Sequence, residues 1–288
     1  MPGWTRASAT SKTGFLTPAG FLGLGLTMAL LAVALLADAL APGDPFASVA
    51  PPLSPPSRAH LFGTDDLGRD VLAGIVHGAR TSLLVAASVT ALAAVIGVAI
   101  GAIAGYRAGA VDDLLMRGTD FVLVVPRFFL AVVVIALFGA GLDRLILVLA
   151  VTSWPAIARV VRAETLSLIR REFVDAARAL GATGVRVVIR HVLPSALPPA
   201  LVVISLNAAT VLLLEAGLSF IGFGDPHRMS WGYLANNAQR FLRLAWWIVL
   251  FPGIALALAV LGLNLVGDAI NDLLDPRRPR SRDPRRDA

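Results

Sequence analysis

Cysteine is absent from the 288 residues, which excludes disulfide frameworks, thiol nucleophiles and cysteine-ligated zinc. Lysine occurs once, as Lys12, and Ser11 precedes it. A phosphate-cradling G-x-x-x-x-G-K-[ST] loop needs Gly in that place and the Lys to reach the phosphates, so the chain has no nucleotide site of this type. The four histidines, His60, His77, His191 and His227, lie in loops or at the edge of an apolar stretch, and no two form an i, i+4 pair. That is not the spacing of a helical metal-binding pair. Charge is scarce too: 15% of residues are charged and 57% hydrophobic, with a mean hydropathy of +0.76. Soluble domains average roughly 25% charged residues, so this composition describes a polytopic membrane protein. Membrane-embedded hydrolysis would require a Ser or paired Asp with a His at depth, and Ser88 and Ser205 have no such partner. Nor does a proton-driven carrier fit well. Its acids belong near the midplane, whereas Asp38, Glu215 and Asp268 sit at the ends of apolar runs, and no inverted repeat is evident.

What is present is hydrocarbon. A span needs about 20 mostly apolar residues, and Leu83–Gly105, Val192–Leu214 and Leu244–Gly267 each exceed that without a charge. Phe21–Leu40 carries Asp38 near its end, and Phe121–Gly141 carries Arg127 near its start, close enough to an interface to snorkel. Leu145–Val161 is the weakest run, with Pro155 inside it and a membrane exit expected near Ala158 and Arg159. Six spans follow. With the N-terminus inside, cytoplasmic segments hold 17 of the 25 basic residues, so both termini are predicted to be cytoplasmic. The excess of positive charge thus reflects topology. No aromatic interleaving accompanies the basic residues as a nucleic-acid groove requires, and no nucleic-acid partner is expected.

The chain divides into a cytoplasmic tail over 1–20, a first transmembrane helix over 21–40 and an extracytoplasmic connector over 41–80. A transmembrane core over 81–268 follows, with a long cytoplasmic loop at about 165–193, and then a basic cytoplasmic tail over 269–288. The first apolar run exceeds the roughly 7–15 residues of a signal peptide and is expected to remain as a span. "APGDPFASVAPPLSPPSRAH" after it is too rich in proline for regular helix or strand.

One stretch of the long loop, "EFVDAARALG", reads as a piece of soluble helix. At helical spacing Phe173, Ala176, Ala177 and Leu180 share a face, Glu172 and Asp175 occupy the first turn where they complement the helix dipole, and Gly181 stops the helix. Amphipathicity alone fits a helix lying on lipid headgroups as well as one docked on a protein. The continuation decides between them. Asp175, Ala176 and Ala177, then Gly181, then His191, Leu193 and Pro194 resemble the spaced motif in the cytoplasmic loop of ABC importer permeases. Asp stands for that family's usual Glu, and His191 for its commonest Ile.

Three further stretches, "FGTDDLGRDVLAGIVHGARTSL", "LSFIGFG" and "SWG", are similar to the dipeptide, oligopeptide and nickel permeases, and within that branch to the second of two permease types that pair as a heterodimer. The resemblance implies an all-α type I importer permease with six transmembrane helices. It further implies a homologous permease partner, two ATP-binding subunits on the cytoplasmic side that carry ATP and Mg, an extracytoplasmic binding protein, and a bacterial inner membrane. It makes Glu172–Gly181 an ATPase-coupling helix on a chain that is not itself an enzyme and holds no cofactor. Short peptides are the substrate it suggests first, with nickel or another small solute as the alternative.

Polar residues in the apolar runs are the candidates for a pathway or gate. Asn207, Thr210, Glu215 and Asn264 either line a pore or hydrogen-bond between helices. Asn236 and Asn237 lie in "WGYLANNAQRFL", a short helix that either forms a membrane-interface belt or closes an outer gate. Gly97, Gly101 and Gly105 make a ladder suited to close helix packing.

Overall fold

A computed structural model describes residues 18–274, so most of the two tails falls outside the described residues. Within them every regular element is a helix, with a single isolated bridge between Thr64 and Asp70 in the non-helical connector. Five helices are long and apolar enough to cross a membrane, or six when a bent pair counts as one span. The helices are α1 (Pro18–Leu35), α2 (Ala37–Leu40), α3 (Val71–Arg107), α4 (Gly109–Val124), α5 (Arg127–Phe138), α6 (Leu142–Leu168), α7 (Glu172–Ala179), α8 (Gly184–Val187), α9 (Leu193–Phe220), α10 (Trp231–Ala238) and α11 (Trp247–Leu274).

The connector is shorter than the sequence suggests, because α3 starts at Val71 rather than near residue 81. Asp70 sets that start: its side chain caps the helix by accepting from the Ala73 amide at 3.1 Å, and so satisfies one of the first-turn donors. His77 and Arg80, counted as loop residues by composition, are therefore helical. Arg80 reaches across to Asp38 at 2.9 Å and to the Ala34 carbonyl. At its far end α11 runs to Leu274, six residues into the segment assigned to the tail.

Helices α3 and α6 run parallel and in close contact because the glycine ladder faces α6. A Cβ on Gly101 would stand 2.5 Å from the Ala158 carbonyl oxygen, and one on Gly97 or Gly105 would meet Trp154 or Arg162 backbone. Small residues let backbones approach where lipid supplies no hydrophobic drive for helices to associate. Expected to be the weakest span, α6 is instead the most deeply buried, and its helix continues past the expected membrane exit near Ala158 and Arg159 to Leu168. Two of its arginines are neutralised from α4: Arg162 grips Asp112 with two hydrogen bonds of 2.5 and 2.6 Å, and Arg159 meets Asp120 at 2.6 Å. Pro155 is accommodated within the helix.

The third span is not one helix. It breaks at Val125–Pro126 into α4 and α5, bent by 79°. Pro126 lacks an amide to continue the ladder and holds the preceding residue in extended backbone. Arg127 is thus the first residue of the second half-helix rather than a residue inside one continuous span. The long element that follows α7 is continuous from Gly184 to Phe220, but its second turn is widened over Val188–Val192, where the Leu193 amide bonds back to Val188 just ahead of Pro194.

Candidate functional site

Two ends of the bundle carry candidate residues. At one end, α7 starts from an extended Arg171 and packs against its neighbours through Val174 and Ala177, which join Leu168, Val187, Val192 and Ala196 in a small core. Burying Val174 alone contributes about 1.5–3 kcal/mol. The sequence grouped Phe173, Ala176, Ala177 and Leu180 on one face, and the structure divides them. Ala177 turns inward with Val174, while Phe173, Ala176 and Leu180 face outward, Leu180 at 89% exposure. The reason is angular: Ala177 lies on the border between the two faces, and the buried Val174 draws it in.

The helix ends with a Schellman motif. The Ala182 amide reaches the Ala177 carbonyl at 3.0 Å and the Gly181 amide reaches Arg178 at 2.9 Å, which requires Gly181 to adopt φ +83°. Glu172 and Asp175 are exposed in the first turn, with Arg178 3.5 Å from Asp175. Downstream, His191 and Leu193 are half-buried and Pro194 is exposed at the start of α9. The motif residues therefore form one unit, in which the widened turn and Pro194 anchor the loop and the outward apolar face stays unpartnered.

At the other end, the connector and α10 form a cap. Thr64 is fully buried; its hydroxyl bonds Pro51, and its carbonyl accepts from the Trp247 indole at 3.1 Å. Asp65 accepts from the Leu67 and Arg69 amides at 2.9 and 2.8 Å. Burial raises its pKa above the usual carboxylate range, against the lowering effect of those amides. Arg69 then reaches the Tyr233 hydroxyl, and Asp70 holds His60 at 2.8 Å.

The "WGYLANNAQRFL" helix is not an exposed belt. Trp231 is 1% exposed, and its indole donates to Ile75 on α3 at 3.0 Å. Asn236, with Gln239, donates to the Phe220 carbonyl at the end of α9, and Asn237 lines a narrow cleft beside Asp65 and Ile248. Below α10 lies Glu215, 1% exposed, whose carboxylate accepts from Ser82 of α3 at 3.0 Å and Ser219 at 2.8 Å. A groove of about 270 Å³ runs between α9, α10 and α11, lined by apolar groups including Leu213, Phe220, Trp231 and Pro252.

The remaining pathway candidates do not converge. Asn207 is buried on α9 with its amide nitrogen unpaired, Thr210 is exposed and bonds back to Leu206, and Asn264 is half-buried on α11. Among the described residues, no group of three or more His, Asp or Glu is arranged to hold a metal ion.

Comparison with known proteins decides what this architecture is. Residues 97–280 match the family of binding-protein-dependent transport system inner membrane components. The chain belongs to that family. Among curated relatives, a protein of Brucella suis named as a peptide transport system permease protein is 41% identical over 258 residues, 89% of this chain and 87% of its own. A di/tripeptide transport system permease protein of Pseudomonas aeruginosa is 37% identical over 268 residues, 90% and 88% of the two chains. The fold is also that of a solved importer: a chain in inward-facing structures of the MetNI methionine ABC transporter aligns with a TM-score of 0.58 at 21% identity, covering 70% of this chain and 96% of that one.

The protein is thus a multi-pass permease subunit of an ABC importer, with the family match spanning α7 and the glycine ladder. Sequence reasoning on this permease missed the Glu215–Ser82–Ser219 cluster as a cluster. Each residue was visible, but the 133 positions separating Ser82 from Glu215 hid their contact. The Arg162–Asp112 and Arg159–Asp120 pairs were missed for the same reason. One signal was available, since α4 carries three acids, Asp112, Asp113 and Asp120, and the far half of α6 carries the basic residues Arg159 and Arg162.

Proposed function

We propose that this permease carries short peptides, delivered by an extracytoplasmic binding protein, across a bacterial inner membrane. In this reading it pairs with a second, homologous permease chain, and α7 docks into a cleft on an ATPase subunit that binds ATP and Mg. Both termini and α7 lie on the cytoplasmic side, and the cap formed by the connector and α10 lies outside.

One observation carries the coupling role: α7 is fixed to the bundle on one side and presents Phe173, Ala176 and Leu180 bare on the other. A soluble-type helix with an unpartnered apolar face is built to insert into another protein. Its small, rigid footing transmits displacement, because the Schellman turn and the Val174–Val187–Val192 core leave it little freedom to move independently of α9. Peptide substrates are supported by the names of the relatives. The apolar groove beside α10 suits a conduit whose selectivity resides in a separate binding protein.

The test is a Gly181→Val variant in the reconstituted importer. Membrane insertion should survive, while uptake and the ATPase stimulation caused by peptide-loaded binding protein should both fall at least severalfold. Parent rates of both would overturn the coupling role. A complex that hydrolyses ATP normally but imports no short peptide would leave coupling intact and reject the substrate.

A further inference from the structure

Arg127 has no established part in this fold. It opens α5 at the 79° break, is half-buried, and makes no hydrogen bond or ion pair with any described residue. Three other arginines on the long helices are matched, Arg80 with Asp38, Arg159 with Asp120 and Arg162 with Asp112, and the unmatched Arg107 and Arg117 are exposed. Its depth follows from register. Helix α5 ends at Phe138, four residues before α6 begins, and Ala131 and Ile135 pack on Leu145, Val148 and Leu149 as the two helices run antiparallel. Counting back from Phe138 to Arg127 reaches the level of Ser153, close to the middle of α6. At about 1.5 Å per residue, α5 is roughly 18 Å long, just over half of a hydrocarbon core of about 30 Å.

An unpaired guanidinium at that depth is costly against lipid. The broken backbone beside it adds a second constraint. Non-helical backbone at membrane depth persists only where protein covers it or water reaches it. In this chain Pro126 and the flanking Val124 are exposed, so their own helices do not cover the break.

We propose that Arg127 forms part of the wall of the aqueous translocation pathway at half depth, where its fixed positive charge pairs with the terminal carboxylate of a peptide in transit. The ligand rests on the peptide reading above; the position in the pathway does not. A guanidinium is suited to this task because its planar fork matches a carboxylate and stays charged throughout. The pairing is transient. Partial hydration keeps it strong enough to favour entry of an anionic terminus and weak enough to release it.

The absence of cysteine makes the test clean. In the complete importer, Arg127→Cys should be modified by a sulfonated, membrane-impermeant methanethiosulfonate, read as a mass shift on this chain, and saturating transported peptide should slow that reaction severalfold. Reaction with lipid-soluble reagents alone would place the side chain against lipid acyl chains and overturn the proposal, as would water-accessible labelling that peptide does not slow. Charge is tested by uptake. Arg127→Met should lower the ratio of free-acid to C-terminally amidated peptide uptake by about tenfold, the range of a charged hydrogen bond, and Arg127→Lys should restore much of it. An unchanged ratio in Arg127→Met would reject the carboxylate pairing. If the parent importer takes up neither peptide, the substrate reading fails, and the accessibility of position 127 still decides its place in the pathway.

Discussion

Gly181 and Glu215 show how single residues set the two working ends of this permease. At Gly181 there is nothing within 4 Å of where a Cβ would stand, so substitution costs only the backbone penalty of φ +83°, about 1–2 kcal/mol for a residue with a Cβ. Gly181→Ala is therefore expected to fray α7 while the membrane helices hold, visible as faster amide exchange confined to about residues 172–182. Equal exchange in variant and parent would mean that the turn does not depend on Gly181. Glu215 behaves differently because its partners are buried. Glu215→Ala leaves the Ser82 and Ser219 hydroxyls without their acceptor and opens a void, a loss of about 2–4 kcal/mol. Glu215→Gln keeps an acceptor oxygen and should lose less. Thermal unfolding of the detergent-solubilised complex orders the three proteins, and an alanine variant as stable as the parent would contradict a holding role. Gly181 was legible in the sequence because a helix stop is a local signal. The environment of Glu215 was not, since it is assembled from α3 and α9.

Among the elements, the α3–α6 pair is the most extensively packed, and the glycine ladder is what allows it. Gly101→Leu must displace the Ala158 backbone or part the helices, so membrane-inserted but unfolded protein is expected, measured as lost recovery of monodisperse permease in mild detergent. Normal recovery would mean that the ladder is incidental. The ladder could be read directly from its four-residue spacing, as could the helical nature of Glu172–Gly181 and the long uncharged spans. The break at Val125–Pro126 could not. Apolar residues continue on both sides of it, and proline alone is tolerated within spans, as α6, α9 and α11 demonstrate. The length of α6 past Arg159 was hidden because the partners of its arginines, Asp112 and Asp120, lie on another helix. Helix α10 was recognised as a helix but not as a packed one. Because Asn236 holds the Phe220 carbonyl, Asn236→Ala should cost about 1 kcal/mol where Asn237→Ala costs less, a difference that thermal melts of the two variants would reveal or refute.

For the molecule as a whole, the bundle joins a rigid cap, knitted by Thr64, Asp65, Trp231 and Trp247, to a small loop domain whose outer face is bare. With one lysine, in no phosphate-binding context, the chain is consistent with the proposed reading of a conduit driven by a separate ATPase subunit. The docking of α7 on an ATPase subunit is the claim on which the rest depends, and Leu180, at 89% exposure, is the place to measure it. In this cysteine-free chain, Leu180→Cys provides a single site for a water-soluble maleimide. The rate of its modification is to be compared in the purified permease pair and in the complete importer. Docking of α7 requires at least a tenfold slowing when the ATPase subunits are present, whereas equal rates in the two preparations would contradict it.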